Sequence, residues 1–334
     1  MQKKRVNLLI SVVVGFGIFG FFLYKSGIQS VMMIVRNLNI IYLFIFITIS
    51  LFLTVLTTYR WKIILNTYAK GLPFFTLFKQ TLACYAVSYV TPISRFGGEP
   101  VKAYMLNKEC NIDLKTGSAT IIMDRFVELT GAGIFGLAGL FILMFMPNFP
   151  LYLKISLATV IILGFFFLFI FYYRTLTGKG SFTLIINFLR LYKIVKIKSF
   201  IHALEDVEKK MSWFFINHKK AFVLSFLVYF VYGILVIVEM KVLLLSLGVN
   251  ASLGILILVA VVHGIATFVP VPAGVGFLEA GQTGLFYLLE NQGSIGFALS
   301  LLIRIRDLIL VAFGFALISY FGGRQIEKII EKAE

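Results

Sequence analysis

Six apolar runs of about 20 residues constrain this chain more than any other feature, because that is the length a helix needs to cross a bilayer core. They are Val6–Tyr24, Asn39–Tyr59, Ser118–Met146, Leu153–Tyr173, Ala221–Leu247 and Ser294–Tyr320. In hydrocarbon the backbone must satisfy its own polar groups, so such runs are helices or strands of a closed barrel. A barrel would read as short alternating strands, and these runs are continuous. Composition agrees: 60% of residues are hydrophobic and 14% charged, against about 45–50% and 25% in soluble domains. A soluble enzyme and a disordered chain are both excluded. The fold class is an all-α polytopic membrane protein, with residues 1–334 forming a single integral membrane domain. The first run follows Lys3, Lys4 and Arg5 and lacks a small-x-small cleavage site, so it reads as an uncleaved span. Cys84 and Cys110 have no metal-type spacing, and neither a disulfide framework, a metal site nor a cofactor is expected.

Two further apolar stretches are interrupted. Phe74–Leu106 is broken by Thr91-Pro92 and Gly97-Gly98, and Leu253–Glu290 by Pro270, Pro272, Gly274 and Gly276. Proline removes a donor and clashes with the preceding turn, while glycine admits unusual backbone angles. Each stretch therefore reads as two short helices joined at a non-helical break. Charge sets the orientation. Arg174–Lys220 holds ten Lys/Arg against Glu205, Asp206 and Glu208, which places it in the cytoplasm. Lys3, Lys4 and Arg5 place the N-terminus there, and Arg324, Lys328 and Lys332 the C-terminus. Walking between these markers makes Phe74–Leu106 a re-entrant hairpin from inside and Leu253–Glu290 one from outside. Residues 39–146 and 221–320 then form two units of opposite topology. Such an inverted repeat with broken helices is a transporter architecture. Pro92 precedes Glu99 by seven residues and Pro272 precedes Glu279 by seven. A charged mid-span cluster follows each hairpin: Asp124, Arg125 and Glu128 after the first, and Arg304, Arg306 and Asp307 after the second.

The net charge of +16 is read as basic loops facing anionic lipid rather than as a nucleic-acid interface. Phe200, Leu204, Val207 and Met211 fall at helical spacing, and with their lysines they predict an amphipathic helix lying on the cytoplasmic lipid surface. Arg60-Trp61-Lys62 ends a span and reads as an interface anchor. Glu239 and Lys241 lie late in the fifth span, where Lys241 can snorkel outward. His263 reads as a packing residue.

Ionisable groups inside a span cost about 3 kcal/mol on insertion scales and persist when paired or facing a cavity. Asp124 and Glu128 share a helix face. Arg125 lies about 100° round from Asp124, so a carboxylate of the first hairpin such as Glu99 is an expected partner. Arg304, Asp307 and Glu279 form the corresponding set. The tract Thr91–Pro100 carries the strongest site signal: a Gly-rich break opens a short helix whose N-terminus favours anions. Arg95 adds a guanidinium suited to phosphate. Arg95, Gly97, Gly98, Arg125 and Arg304 are the candidate substrate-binding residues. Glu99, Asp124, Glu128, Glu279 and Asp307 are the candidate ion-pair or proton-coupling residues, and Glu99 can equally serve as a helix cap.

Arg60-Trp61, the Pro92–Tyr104 tract with its Arg95-Phe96-Gly97-Gly98-Glu99 core, Asp124-Arg125-Phe126 and Pro270–Glu279 together resemble the lysylphosphatidylglycerol synthase transmembrane-region family, also called flippase-like or UPF0104 membrane proteins. One departure is Ala273, where the family's tract has glycine. The resemblance implies a domain that moves lipids across the bilayer. In fused bacterial members of the family the lipid is aminoacylated phosphatidylglycerol made by a cytosolic transferase domain; archaeal relatives are associated with polyprenyl-phosphate sugar lipids.

The expected function is a flippase-like transporter in the cytoplasmic membrane. Its partners would be lipids with anionic or zwitterionic phosphate headgroups. The headgroup would sit between the hairpin tips and the acyl chains would stay in the bilayer. No G-x-x-x-x-G-K-[ST] loop is present, so an ion gradient or lipid mass action would drive movement. Two rivals remain at this stage. A lipid-modifying transferase needs a cofactor site, and no transferase motif is recognised. A non-catalytic partner would recruit a separate lipid synthase through Arg174–Lys220.

Overall fold

The computed structural model describes residues 38–91, 96–146, 149–182, 184, 198–290 and 292–330. The first predicted span, the basic residues before it, Pro92, Arg95 and Lys332 lie outside the described residues. The described chain is helical: α1 (Ile40–Leu65), α2 (Phe74–Val90), α3 (Glu99–Cys110), α4 (Leu114–Met144), α5 (Leu151–Leu176), α6 (Lys198–Asn217), α7 (Lys219–Ser246), α8 (Leu253–Ala266), α9 (Phe277–Glu290) and α10 (Gly293–Ile330).

Four of these helices, α1, α4, α5 and α7, are long and apolar enough to cross a membrane. They correspond to four of the six expected spans. The expected span Ser294–Tyr320 falls inside α10, whose centre carries Arg304, Arg306 and Asp307; that helix is not among the four. Local signals set the boundaries. The Asn39 side chain accepts from the Ile41 amide at 3.1 Å to open α1, and Asp113 accepts from the Thr116 amide at 2.9 Å to open α4. Pro73 and Pro150 stand immediately before α2 and α5, where a missing N–H costs nothing.

Both interrupted stretches are helix–break–helix. Thr91, held extended at φ −87° and ψ 150°, precedes a proline, which disfavours helical geometry there. Val271 before Pro272 is likewise extended. The first pair runs to Cys110, four residues beyond the expected Leu106, and closes on Asn111 in the left-handed region, which asparagine tolerates.

The helices pack in a crossed pattern. α1 lies against α7, α2 against α10, α8 against α4, and α9 against α10. Trp61, Leu65, Leu77, Ala103, Leu106 and Ile121 seat the first helix pair on α1 and α4. Leu256, Leu258, Leu278, Phe286 and Leu299 seat the second pair on α10. The outer faces are apolar: on α5 only Ile161, Leu168, Phe171 and Thr175 are buried, while Phe166 and Phe169 are exposed. A helix this apolar with so little of it covered is what lipid contact requires.

The α6 face is spent differently from expectation. Val207, Met211, Phe214 and Phe215 are buried in a cluster with Met123, Phe126, Val127, Leu168 and Phe171. The amphipathic stripe therefore docks on α4 and α5 instead of lying on lipid. A Lys115–Asp206 ion pair of 2.5 Å and a bond from the Tyr68 hydroxyl to the Lys210 carbonyl fasten it. The Lys115 ammonium holds the Asp206 carboxyl below its usual range.

Candidate functional site

Two charge networks lie inside the bundle. In the first, Arg60 of α1 donates from Nε to Asp124 at 2.7 Å, and from one terminal nitrogen to Asp124 at 3.0 Å and Glu128 at 2.9 Å. Arg125 donates to Glu99 at 2.5 Å and Glu128 at 2.8 Å. Asp124 and Glu128 share a face as the sequence indicates, and the helical rotation of Arg125 sends it to Glu99 of the opposite hairpin helix. Arg60 is 2% exposed and Trp61 fully buried, which corrects the expectation of an interface anchor. Only at the end of a membrane span would these side chains be in the headgroup region. Here the span end is covered by α3 and α4, so the guanidinium must find carboxylates. The one available signal was chemical: Asp124 and Glu128 needed more cationic partners than α4 supplies.

In the second network, Glu239 of α7 accepts from Arg306 at 2.9 Å and from the Ser50 hydroxyl of α1 at 2.5 Å. Arg306 also pairs with its neighbour Asp307. Sequence reading noted Glu239 only for its position; nothing local pointed to α10 as its partner. Arg304 forks onto Glu279 and also donates to the carbonyls of Ala273 and Gly274 and to the Tyr89 hydroxyl. Asp307, grouped with Arg304 on spacing, pairs instead with Arg306. Lys241 is exposed, as a snorkelling residue should be. Cys84 and Cys110 are free.

The hairpin tips are tightly built. A Cβ on Gly98 would lie 1.9 Å from the Cys84 carbonyl oxygen, so only glycine lets the tip approach α2. The Gly98 amide donates to the Ser88 hydroxyl at 2.9 Å, so the α3 N-terminus already spends one of its free N–H groups. Gly97 packs on Thr91 in the same way. At the second tip, Gly274 and Gly276 have positive φ, and so does Ala273 at 56°. Glu279 caps α9 by accepting from the Gly276 amide at 2.8 Å.

Between the networks is a cavity of about 500 Å³. Its polar wall carries Arg60, Lys102, Asp124, Arg125 and Glu128 from one network and Glu239, Arg306 and Asp307 from the other. His263, half-buried on α8, also lines it. Glu99, Glu279, Arg304 and the tip residues Gly97, Gly98, Pro270, Pro272, Gly274 and Gly276 are not among the lining residues. The structure thus brings Arg125, Asp124, Glu128 and Asp307 to the cavity and leaves Arg304 behind it as a brace. The other wall is apolar and includes Val160 and Phe167 of α5, which are also 60% and 51% exposed. The cavity therefore opens sideways along α5, on the apolar outer face.

Residues 8–314 match the family described as Lysylphosphatidylglycerol synthase TM region. A UPF0104 membrane protein of Methanothermobacter thermautotrophicus is 22% identical over 344 aligned residues, covering 99% of this chain and 100% of the relative. A second UPF0104 membrane protein, from Methanocaldococcus jannaschii, is 23% identical over 128 residues, covering 38% of this chain and 37% of the relative. No solved structure matches the chain.

Proposed function

Because the chain belongs to the lysylphosphatidylglycerol synthase transmembrane-region family, we propose that it moves a phosphate-bearing lipid across the cytoplasmic membrane as a flippase-like transporter. One observation carries the reading: a cavity with a charged inner wall opens sideways through exposed apolar side chains of α5. A lipid is the solute that needs both surfaces at once. Its headgroup would exchange water for the arginine–carboxylate wall, while its chains stay in hydrocarbon through the apolar mouth. Candidate substrates are aminoacyl-phosphatidylglycerol and polyprenyl-phosphate-linked lipids.

In this proposal six spans and two re-entrant hairpins form an inverted repeat with both termini cytoplasmic. The crossed packing of α2 on α10 and α8 on α4 supports it, since each hairpin leans on the last long helix of the other unit. Rocking one unit against the other would expose the cavity to alternate sides. Arg125 is the moving contact. It is 19% exposed, reaches the cavity, and bridges the hairpin to α4; a headgroup phosphate would compete with Glu99 for its donors.

Reconstitution into liposomes with fluorescent phosphatidylglycerol, lysyl-phosphatidylglycerol and a polyprenyl-phosphate lipid tests this. Protein-dependent movement of one class is expected, with Arg125→Ala inserted but inactive. Normal translocation by Arg125→Ala would overturn the assignment.

A further inference from the structure

Lys102 stands apart from every other cation on the cavity wall. It is only 4% exposed, on the second turn of α3, and lines the cavity. Its ammonium lies 3.7 Å from the centre of the Trp61 ring. Among the described residues it makes no hydrogen bond and no ion pair, although it carries three donors. Its neighbours are saturated: Arg60 is held by Asp124 and Glu128, and Arg125 by Glu99 and Glu128. A ring face recovers only part of what an ammonium loses on leaving water. Protein interiors keep buried charges paired, so an unspent ammonium facing a cavity marks where an anion binds.

We propose that Lys102 is the anchor for the anionic phosphate of the cavity's ligand, a positioning and specificity residue resting on the lipid-moving reading above. Lysine binds phosphate as a point charge, which suits a group that must be released on the far side. The arginines around it are already committed to carboxylates, so Lys102 can hold the phosphate first, before the headgroup competes with Glu99 for the donors of Arg125. Trp61 keeps the ammonium in place while the site is empty. Its indole N–H is itself held by Thr120 at 3.3 Å, which fixes the ring.

Trp61 also reports on the site. The chain has two tryptophans, and Trp213 packs against Tyr68 at a tilt of 53°, away from the cavity. In full-length protein carrying Trp213→Phe, emission comes from Trp61 alone. The protein in neutral detergent is titrated with phosphatidylglycerol, with diacylglycerol as its uncharged counterpart, and with inorganic phosphate. Saturable change with phosphatidylglycerol and none with diacylglycerol is expected, and Lys102→Met should weaken binding at least about tenfold. A response to inorganic phosphate as well would mean that the anion alone is recognised; a response confined to the lipid would mean that headgroup and chains act together. Both support the anchor.

Without ligand, Lys102→Met should melt at the same temperature as its parent or higher, since it removes an uncompensated charge. A lower melting temperature with undiminished affinity would assign Lys102 to the ring contact and overturn the proposal. Lys102→Gln provides the same comparison should the methionine variant fail to fold. Liposome transport separates the two readings. If the parent moves lipid and Lys102→Met moves it equally fast, the anchor falls and the transporter stands. If the parent moves no lipid but Lys102-dependent binding persists, the transporter falls and the anchor stands.

Discussion

In the first hairpin unit, Arg125 on the long helix reaches Glu99 at the start of α3, and the two side chains keep 19% and 18% of their exposure. In the second, Arg304 on α10 grips Glu279 at the start of α9, and the carboxylate is wholly buried. The sequence separations are nearly the same, 26 and 25 residues. The register extends further: Arg60, Glu99, Arg125 and Glu128 correspond to Glu239, Glu279, Arg304 and Asp307, each 179 or 180 residues later. Yet the first pair of that series is reversed in charge. Arg60 is answered by two carboxylates, whereas Glu239 is answered by Arg306 and a serine hydroxyl. The same frame thus serves two ends. Arg125 faces the cavity with one carboxylate on either side, while Arg304 is turned onto the backbone of its own hairpin tip. One unit presents its charges to the cavity and the other uses them to hold its break closed.

The charge reversal predicts the largest difference. Arg60→Met takes the cation from Asp124 in the interior and leaves Glu128 to Arg125, and should cost about 3–5 kcal/mol. Glu239→Gln leaves Arg306 paired with Asp307 and keeps a hydrogen-bonding side chain toward Ser50, so it should cost about 1–2 kcal/mol. Thermal unfolding of both variants in the same detergent measures the gap. Equal losses would remove the distinction between the two networks.

The paired arginines sharpen the comparison. Arg304 makes five hydrogen bonds in a fixed fork, which lysine cannot reproduce. Arg304→Lys should therefore lower stability by about 2 kcal/mol. Arg125→Lys, at a site open to the cavity, should cost less than about 1 kcal/mol after allowance for solvent screening. In liposome transport the order should reverse: Arg125→Lys loses more activity per unit of lost stability. A transport defect that simply tracks melting temperature in both variants would mean that Arg125 too is only a brace.

Much of this was legible from the chain because hydropathy and proline act locally. The ends of α8 and α9 fall where Leu253–Glu290 placed them, and the pairings of Glu99 with Arg125 and Glu279 with Arg304 followed from the cost of a lone charge in a span. Three features were not legible, each because it depends on distant packing. Arg60 looked like an interface residue until α3 and α4 covered it. The α6 stripe looked lipid-facing because an amphipathic pattern states that a face must be covered and not by what. Lys102 sat unremarked in a short tract of mixed polarity. Only the fold shows that its ammonium, alone among the cavity's described cations, lies against a ring instead of a carboxylate.

The smallest effect tests the tip geometry itself. Ala273 has φ 56° and ψ 6°, the left-handed region in which a Cβ crowds the following carbonyl at a cost of about 1–2 kcal/mol. Its carbonyl accepts from Arg304 at 2.8 Å, so the brace holds the residue there. Glycine removes the crowding but loses about 0.5–1 kcal/mol more backbone entropy on folding. Ala273→Gly should therefore stabilise the protein by about 0.5–1 kcal/mol, a rise on the order of 1–2 °C for a chain of this size. Asn111, the other non-glycine residue at positive φ among the described residues, is the control. Asparagine tolerates that region, so Asn111→Gly should leave the melting temperature nearly unchanged. A gain at Ala273 that disappears in the Arg304→Lys background would show that the strain is imposed by the arginine's grip. A gain of the same size in both backgrounds would locate it in the Pro272 turn alone, and the second hairpin would then be held by its own backbone rather than by its ion pair.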